Sequence, residues 1–198
     1  MTRTIDYYFA TISPYAYLGH DRFVAIAQKH GATVAVKPIN LGEVFPVSGG
    51  LPLSKRAPQR RAYRLVELDR WARYLGKPMR IQPQFFPVNG DLAAHWILAA
   101  AESGSAQALA LAGAVGRAIW EQDRNIADAA TMAAIAAECG LPGALAARAQ
   151  APEIAEKYAA LTQEAIALGV FGAPTYVVED ELFWGQDRLD FLDRKMAK

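Results

Sequence analysis

Ser13 and Pro14 sit where a run of alternating apolar residues ends and a helical pattern begins, and this junction is the first place in the chain where chemistry is possible. Serine followed by proline is a strong N-cap and first-turn pair. The same geometry sets a hydroxyl beside the unpaired N–H groups of a helix start. The partial positive charge there, about half an elementary charge, stabilises an anion. Ser13 therefore reads locally as a cap and chemically as a hydroxyl poised beside a bound anion. A triad nucleophile does not fit. There is no G-x-S-x-G elbow, and His20, His30 and His95 fall into no triad order.

Three further segments combine reactive or recognition-competent residues with turn chemistry. In Gly169-Val170-Phe171-Gly172-Ala173-Pro174-Thr175, two glycines flank an aromatic ahead of a strand, which suits a cis proline in a tight turn as well as an ordinary edge device. A cis bond there would turn the Ala173 backbone toward a cleft, where an extended peptide could pair with it. In Phe183-Trp184-Gly185-Gln186-Asp187-Arg188, Asp187 either stabilises a helix start or pairs with an ammonium while backbone N–H groups hold a carboxylate. Between Ser54 and Arg64 lie Lys55, Arg56, Arg60, Arg61 and Arg64, with no acid until Glu67. A solvated basic helix start accounts for such a run, but cations oppose the dipole at that end, so the run also suits an anionic ligand. The histidines and the lone cysteine, Cys139, have no metal-ligand spacing, and no phosphate-binding glycine motif occurs.

The elements that must position these residues follow from periodicity. Thr4 to Ala10 alternates as a strand, a helical pattern runs to His30-Gly31, and Thr33 to Ile39 reads as a second, parallel strand: one βαβ unit. Gly42 to Pro58 is rich in glycine and proline and reads as a long irregular loop. Helical segments follow at about 61–75, 92–103, 106–122, 128–139 and 152–168, dense in alanine. Cys139 falls on an apolar helix face and reads as core. Thr175–Val178 and Glu181–Trp184 make a hairpin around Glu179-Asp180, and a final helix opens at Gln186-Asp187. The fold class is α/β, a sheet-and-helix domain with an all-helical insertion.

Composition narrows the function classes. The 198 residues include 53% hydrophobic and 21% charged, enough for a sizeable core and unlike a disordered chain. A net charge of +1 argues against a dedicated nucleic-acid binder. One cysteine forms no internal disulfide, and no run is long and apolar enough for a membrane span or a secretory leader, so the expectation is a soluble cytoplasmic protein.

Together these pieces resemble the thioredoxin-fold superfamily of DsbA-like proteins, kappa-class glutathione transferases and 2-hydroxychromene-2-carboxylate isomerases. The likeness to the isomerases rests on Tyr8-Phe9 leading to Ser13-Pro14-Tyr15-Ala16-Tyr17-Leu18, on Leu68-Asp69-Arg70-Trp71-Ala72-Arg73, on Val170-Phe171-Gly172-Ala173-Pro174-Thr175 and on Trp184-Gly185-Gln186-Asp187-Arg188-Leu189. It implies a thioredoxin-like part in residues 1–60 and 169–198 with a helical part inserted at 61–168. DsbA-like oxidoreductases carry Cys-x-x-Cys where this chain has Ser13-Pro14-Tyr15-Ala16, so dithiol exchange is impossible there and an external thiol, glutathione, is implied. By the same resemblance Ser13 is catalytic and contacts the glutathione sulfur, Ala173 pairs with its cysteinyl part, and Trp184, Gly185, Gln186 and Asp187 hold its γ-glutamyl end. Phe45, Lys55, Arg56 and Phe86 fall on the side of the aromatic carboxylate substrate. Phe45 and Phe86 stand where a branch of the family has a lysine and a tyrosine. The implied activity is glutathione-dependent isomerisation of 2-hydroxychromene-2-carboxylate or a related aromatic catabolite, by reversible thiolate addition, ring opening, bond rotation and elimination, in a homodimer without nucleic acid, membrane or metal. The alternative is a kappa-like transferase that conjugates glutathione to an electrophile, and a third is a non-catalytic binding module.

Overall fold

A computed structural model describes residues 3–198. Strand β1 (Thr4–Phe9) leads into helix α1 (Pro14–Lys29), which returns the chain to β2 (Thr33–Pro38), parallel to β1 with Ile5 opposite Val34 and Tyr7 opposite Val36. The chain comes back to the sheet only at β3 (Thr175–Val178), antiparallel to β1, and closes with β4 (Glu181–Trp184), antiparallel to β3. The strand order is therefore β2-β1-β3-β4. Glu179 and Asp180, both at positive φ, make the hairpin turn. This is the α/β arrangement expected from the periodicities and the thioredoxin-like one that the resemblance implies.

Seven helices lie between β2 and β3: α2 (Leu41–Ser48), α3 (Pro58–Leu75), α4 (Asp91–Ala101), α5 (Ser105–Trp120), α6 (Ala129–Glu138), α7 (Leu145–Ala149) and α8 (Pro152–Ala167). A last helix, α9 (Leu189–Met196), packs on α1 and β4. Pro58 and Pro152 occupy first-turn positions, where a missing N–H costs nothing. One apolar cluster joins the sheet residues Ile5, Tyr7 and Tyr176 to Phe23 of α1, Ile97 of α4 and Leu111 of α5, so sheet and helices share a core. Tyr7, Phe23 and Tyr176 form an aromatic cluster at its centre, with ring centroids 4.5 to 5.4 Å apart.

The segment 42–58 departs from the expected irregular loop. Residues 41–48 form α2 despite Gly42 and Pro46, capped by Asn40, whose side chain accepts from the Gly42 N–H at 2.8 Å, and ended by Gly49 at φ 76°. Val44 is fully buried in a second apolar cluster with Tyr8, Ile39, Ala165 and Val170, and that packing outweighs the helix breakers. A short 3-10 turn, Leu53–Lys55, then leads toward α3. Cys139 lies at the margin of the core rather than within it: it caps α6 half-buried against the main apolar cluster, with burial raising its thiol pKa. Among the described residues no helix is long and apolar enough to cross a membrane.

Candidate active site

Ser13 is held where β1 hands over to α1. Its N–H donates to the Ala10 carbonyl at 2.9 Å, and its own carbonyl accepts the Tyr17 N–H at 3.1 Å. Its hydroxyl accepts the Ala16 N–H at 3.2 Å as an N-cap. That hydroxyl also donates across to the Ala173 carbonyl at 3.4 Å, so the helix start and the loop before β3 meet at one oxygen. Only 7% of Ser13 is exposed, which keeps bulk water from competing for the hydroxyl. The Ala173–Pro174 bond is cis, as the turn chemistry suggested. Thr175 Oγ1 donates to the Gly172 carbonyl at 2.8 Å and fastens the same turn.

The Trp184–Asp187 segment is tied to this loop. The Gly185 N–H donates to the Pro174 carbonyl at 2.8 Å, and Gly185 takes φ 100°, open to glycine alone without strain. Trp184 meets Phe171 at a tilt of 60° with centroids 4.7 Å apart and lies against Gly172. The Gln186 side chain turns inward: the residue is 1% exposed, packs against Gly19 of α1, and accepts from Arg22 Nη1 at 3.3 Å. Its backbone carbonyl accepts from the same Arg22 nitrogen at 3.4 Å, so side chain and carbonyl are both committed to the fold. Asp187 is exposed, with Oδ2 2.7 Å from Arg188 Nη1.

On the other flank, the side chains of the 42–64 region gather around Tyr15, two residues after Ser13. The Tyr15 phenol is pushed up by burial and stays protonated, and it senses the charges of Arg64, Glu67, Arg56 and Asp187. Arg56 lies over the Phe45 ring at 6.0 Å and is anchored by a 2.8 Å bond from Nε to the Leu51 carbonyl. Arg64 lies over the Phe86 ring at 5.2 Å. Of the substrate-side residues expected from the resemblance, Phe45, Arg56 and Phe86 thus belong to one neighbourhood, whereas Lys55 is exposed at the end of the 3-10 turn. Arg64 is one of five cations in the basic run and Tyr15 part of the motif after Ser13, and neither is among the site residues that the resemblance implies. Arg64 precedes Leu68 and Ala72, the buried positions of α3, by four and eight residues, a spacing compatible with its inward position but shared in part by the exposed Arg60 and Arg61.

The histidines lie apart from this cleft. His20 is buried and hydrogen-bonds the Leu109 carbonyl at 3.0 Å, His30 pairs with Asp193 at 2.6 Å, and His95 meets Tyr158 edge-on.

A serine-capped helix start facing a cis-proline loop is the site of a thioredoxin-fold protein without its redox pair. The chain matches the DSBA-like thioredoxin domain over residues 4–197. It is 31% identical to the 2-hydroxychromene-2-carboxylate isomerase of Sphingobium xenophagum, over 98% of this chain and 97% of that protein. The solved structure of a 2-hydroxychromene-2-carboxylate isomerase superposes with a TM-score of 0.81 at 30% identity, covering 98% of this chain and 94% of that one. The glutathione S-transferase kappa 1 of Caenorhabditis elegans is 34% identical over 82 residues, 41% of this chain and 36% of that protein. The cytosolic disulfide reductase DsbM from Pseudomonas aeruginosa, solved with GSH, shares the fold at a TM-score of 0.69 and 18% identity, covering 98% of this chain and 100% of that one. The chain belongs to the DsbA-like thioredoxin family and, within it, to the 2-hydroxychromene-2-carboxylate isomerase branch.

Proposed function

We propose that this protein is a glutathione-dependent isomerase of 2-hydroxychromene-2-carboxylate or a closely related fused-ring carboxylate. The observation that carries the reading is Ser13, a hydroxyl at the α1 start beside the Ala173–cis-Pro174 turn, in a chain of the isomerase family whose lone cysteine lies elsewhere. The residues present suit glutathione. The Ala173 N–H donates to no acceptor among the described residues, so it is free for an added strand. Asp187 stands exposed at the same mouth for an ammonium.

When bound, glutathione supplies a thiolate that adds to the conjugated substrate and leaves again. The chain supplies the setting. The Ser13 hydroxyl swings from the Ala173 carbonyl to donate to sulfur, and the α1 N-terminus favours the thiolate over the thiol. Trp184, Gly185 and the Gln186 backbone N–H hold the γ-glutamyl end, while Phe45, Arg56 and Phe86 bound the substrate side. The reading implies a glutathione-rich, reducing compartment such as the cytoplasm. It includes a homodimer, supported by Tyr63, Val66 and Tyr74, which are exposed along one face of α3 and whose burial light scattering would report. We further propose residues 61–168 as a helical cover over the thioredoxin-like part, with α3 and α5 packed on α1.

The test follows 2-hydroxychromene-2-carboxylate by absorbance with and without glutathione while titrating free thiol. Interconversion that needs glutathione yet leaves the thiol concentration constant is expected. Stoichiometric loss of thiol would make the protein a kappa-like transferase, a reading favoured only by the partial kappa match.

A further inference from the structure

The cations of the basic run are not held alike. Arg60 and Arg61 are exposed at the start of α3, and Lys55 is exposed ahead of it. Arg70 and Arg73 are neutralised on their own helix by Glu67 at 2.6 Å and by Asp69. Arg64 differs from all of these. It is partly withdrawn from solvent, and its guanidinium meets no carboxylate and no hydrogen-bond acceptor among the described residues. Burial, with the like charge of Arg56 adding to it, lowers its pKa from the ordinary guanidinium value. A desolvated, unpaired cation beside a second cation is an unfavourable arrangement in the empty protein, and an anion would relieve it.

The arginine is also braced. Phe86 lies between it and Trp120: the Arg64 guanidinium is 5.2 Å from the Phe86 centroid, and the Phe86 and Trp120 centroids are 4.9 Å apart. Trp120 is fully buried, so the platform beneath Arg64 is fixed from the core outward. The Tyr15 phenol, kept protonated by burial, stands in the field of Arg64 and has no acceptor of its own among the described residues. A planar guanidinium and a phenol O–H beside an aromatic ring suit a planar aromatic carboxylate, with the carboxylate on Arg64 and Tyr15 and the ring system against Phe86.

We propose that Arg64, with Tyr15 as second donor and Phe86 as platform, is the principal anchor for the carboxylate of the aromatic substrate and sets the preference for acids over neutral analogues. The proposal rests on the reading of the cleft given above as taking an aromatic carboxylate, and it is tested without turnover. The probes are chromone-2-carboxylate and chromone-2-carboxamide, which share a ring system and differ in charge, titrated calorimetrically in the presence of glutathione. Replacing Arg64 by glutamine should weaken chromone-2-carboxylate binding by roughly ten- to a hundredfold, the magnitude of a lost charge-assisted bond. Carboxamide binding should change less than about threefold, and Arg64→Lys should recover part of the loss. Tyr15→Phe should cost the carboxylate a smaller factor, on the order of threefold to tenfold. Arg60→Gln removes the same charge from the exposed face and should leave both probes within about threefold.

Equal loss for acid and amide would overturn the proposal, because Arg64 would then be acting through packing. Equal loss from Arg60→Gln would overturn it in favour of diffuse electrostatic attraction. A loss confined to glutathione binding would overturn it by assigning Arg64 to the glycyl carboxylate. If the protein bound the acid through Arg64 and yet isomerised nothing, this inference would stand while the activity assigned above fell. Unfolding curves of each variant, matched to the parent, establish that binding is read on folded protein.

Discussion

The Ser13 hydroxyl lies 3.4 Å from the carbonyl oxygen of Ala173, a residue 160 positions further along the chain. The distance is long for an O–H···O bond, so the contact is weak and the hydroxyl is readily turned to a better acceptor. The same oxygen caps α1 through the Ala16 N–H at 3.2 Å, which gives Ser13 two separable roles. Ser13→Ala should cost about 1 kcal/mol of stability from the lost cap. Loss of a hydrogen bond to a thiolate should lower turnover by roughly ten- to a hundredfold. Glutathione affinity should stay within a few-fold, since the backbone contacts remain. Unchanged turnover in the folded variant would remove the hydroxyl from the mechanism.

Asp187 offers a comparable separation. It is exposed and, among the described residues, its side chain bonds only to its neighbour Arg188 at 2.7 Å, so Asp187→Asn should change stability by no more than a few tenths of a kcal/mol. If its carboxylate receives the γ-glutamyl ammonium, glutathione binding should weaken by roughly 1 to 3 kcal/mol. A dissociation constant within error of the parent would retire the ligand role.

The parts of the molecule legible in the sequence are those where local pattern and tertiary packing agree. Ile5, Tyr7 and Phe9 alternate on β1, Ser13-Pro14 caps α1, and the hairpin turn falls at Glu179-Asp180, each set by neighbours within a few residues. Helix α2 was not legible, because what stabilises it is Val44 meeting Tyr8 and Ala165, residues far away in the chain. Within the site, the Trp184–Asp187 segment could be named from sequence, but the inward turn of Gln186 toward Arg22 could not, since it depends on α1 lying alongside. Arg64 was hidden among identical charges. Arg60 and Arg61 stand eight and seven residues before Leu68, so helical spacing does not separate Arg64 from them; what does is Phe86, distant in the chain, which covers α3 one turn further in.

Gly19 connects the fold to the site through α1. A Cβ built there would stand 2.7 Å from Gln186 Cβ and 3.1 Å from the Tyr176 hydroxyl. The first contact is to an atom tied directly to backbone and cannot be relieved by a rotamer change. Alanine would gain up to about 1 kcal/mol in helix propensity, set against overpacking that costs roughly 1 to 3 kcal/mol. Gly19→Ala should therefore lower the thermal midpoint, and because Gln186 must shift with its neighbours, it should weaken glutathione binding several-fold as well. A variant with full glutathione affinity and a lowered midpoint would show that the 184–187 segment moves without consequence for the ligand.

His20 makes stability depend on pH in a window of its own. Burial, chiefly, holds its pKa down at about 4, against an ordinary value near 6.5. The neutral ring fits the bonds around it, with Nε2–H donating to the Leu109 carbonyl at 3.0 Å and Nδ1 accepting from the Tyr7 hydroxyl at 3.5 Å. Above pH 6.5 the ring is neutral in both the folded and unfolded chain, and it contributes no pH dependence. Between 6.5 and 4 the unfolded chain takes up a proton that the native protein refuses, so stability falls as the pH falls. Below 4 both states are protonated and the loss levels off, at about 3 kcal/mol in total. His20→Gln should be less stable than the parent at pH 7.5, because the ring packs closely against Gly113 of α5. Its unfolding free energy should nonetheless be flatter from pH 6.5 to 4. Glu164, held below its usual carboxylate value by Lys37 and Tyr8, keeps its own lower-pH loss in parent and variant alike, whereas Asp21 senses His20 and titrates below its ordinary value, beneath the window, so the difference between the two profiles from pH 6.5 to 4 reports His20. Denaturant titrations at half-unit pH steps measure that difference, and parallel profiles through the window would mean that the imidazole is solvated and titrates normally in the native protein.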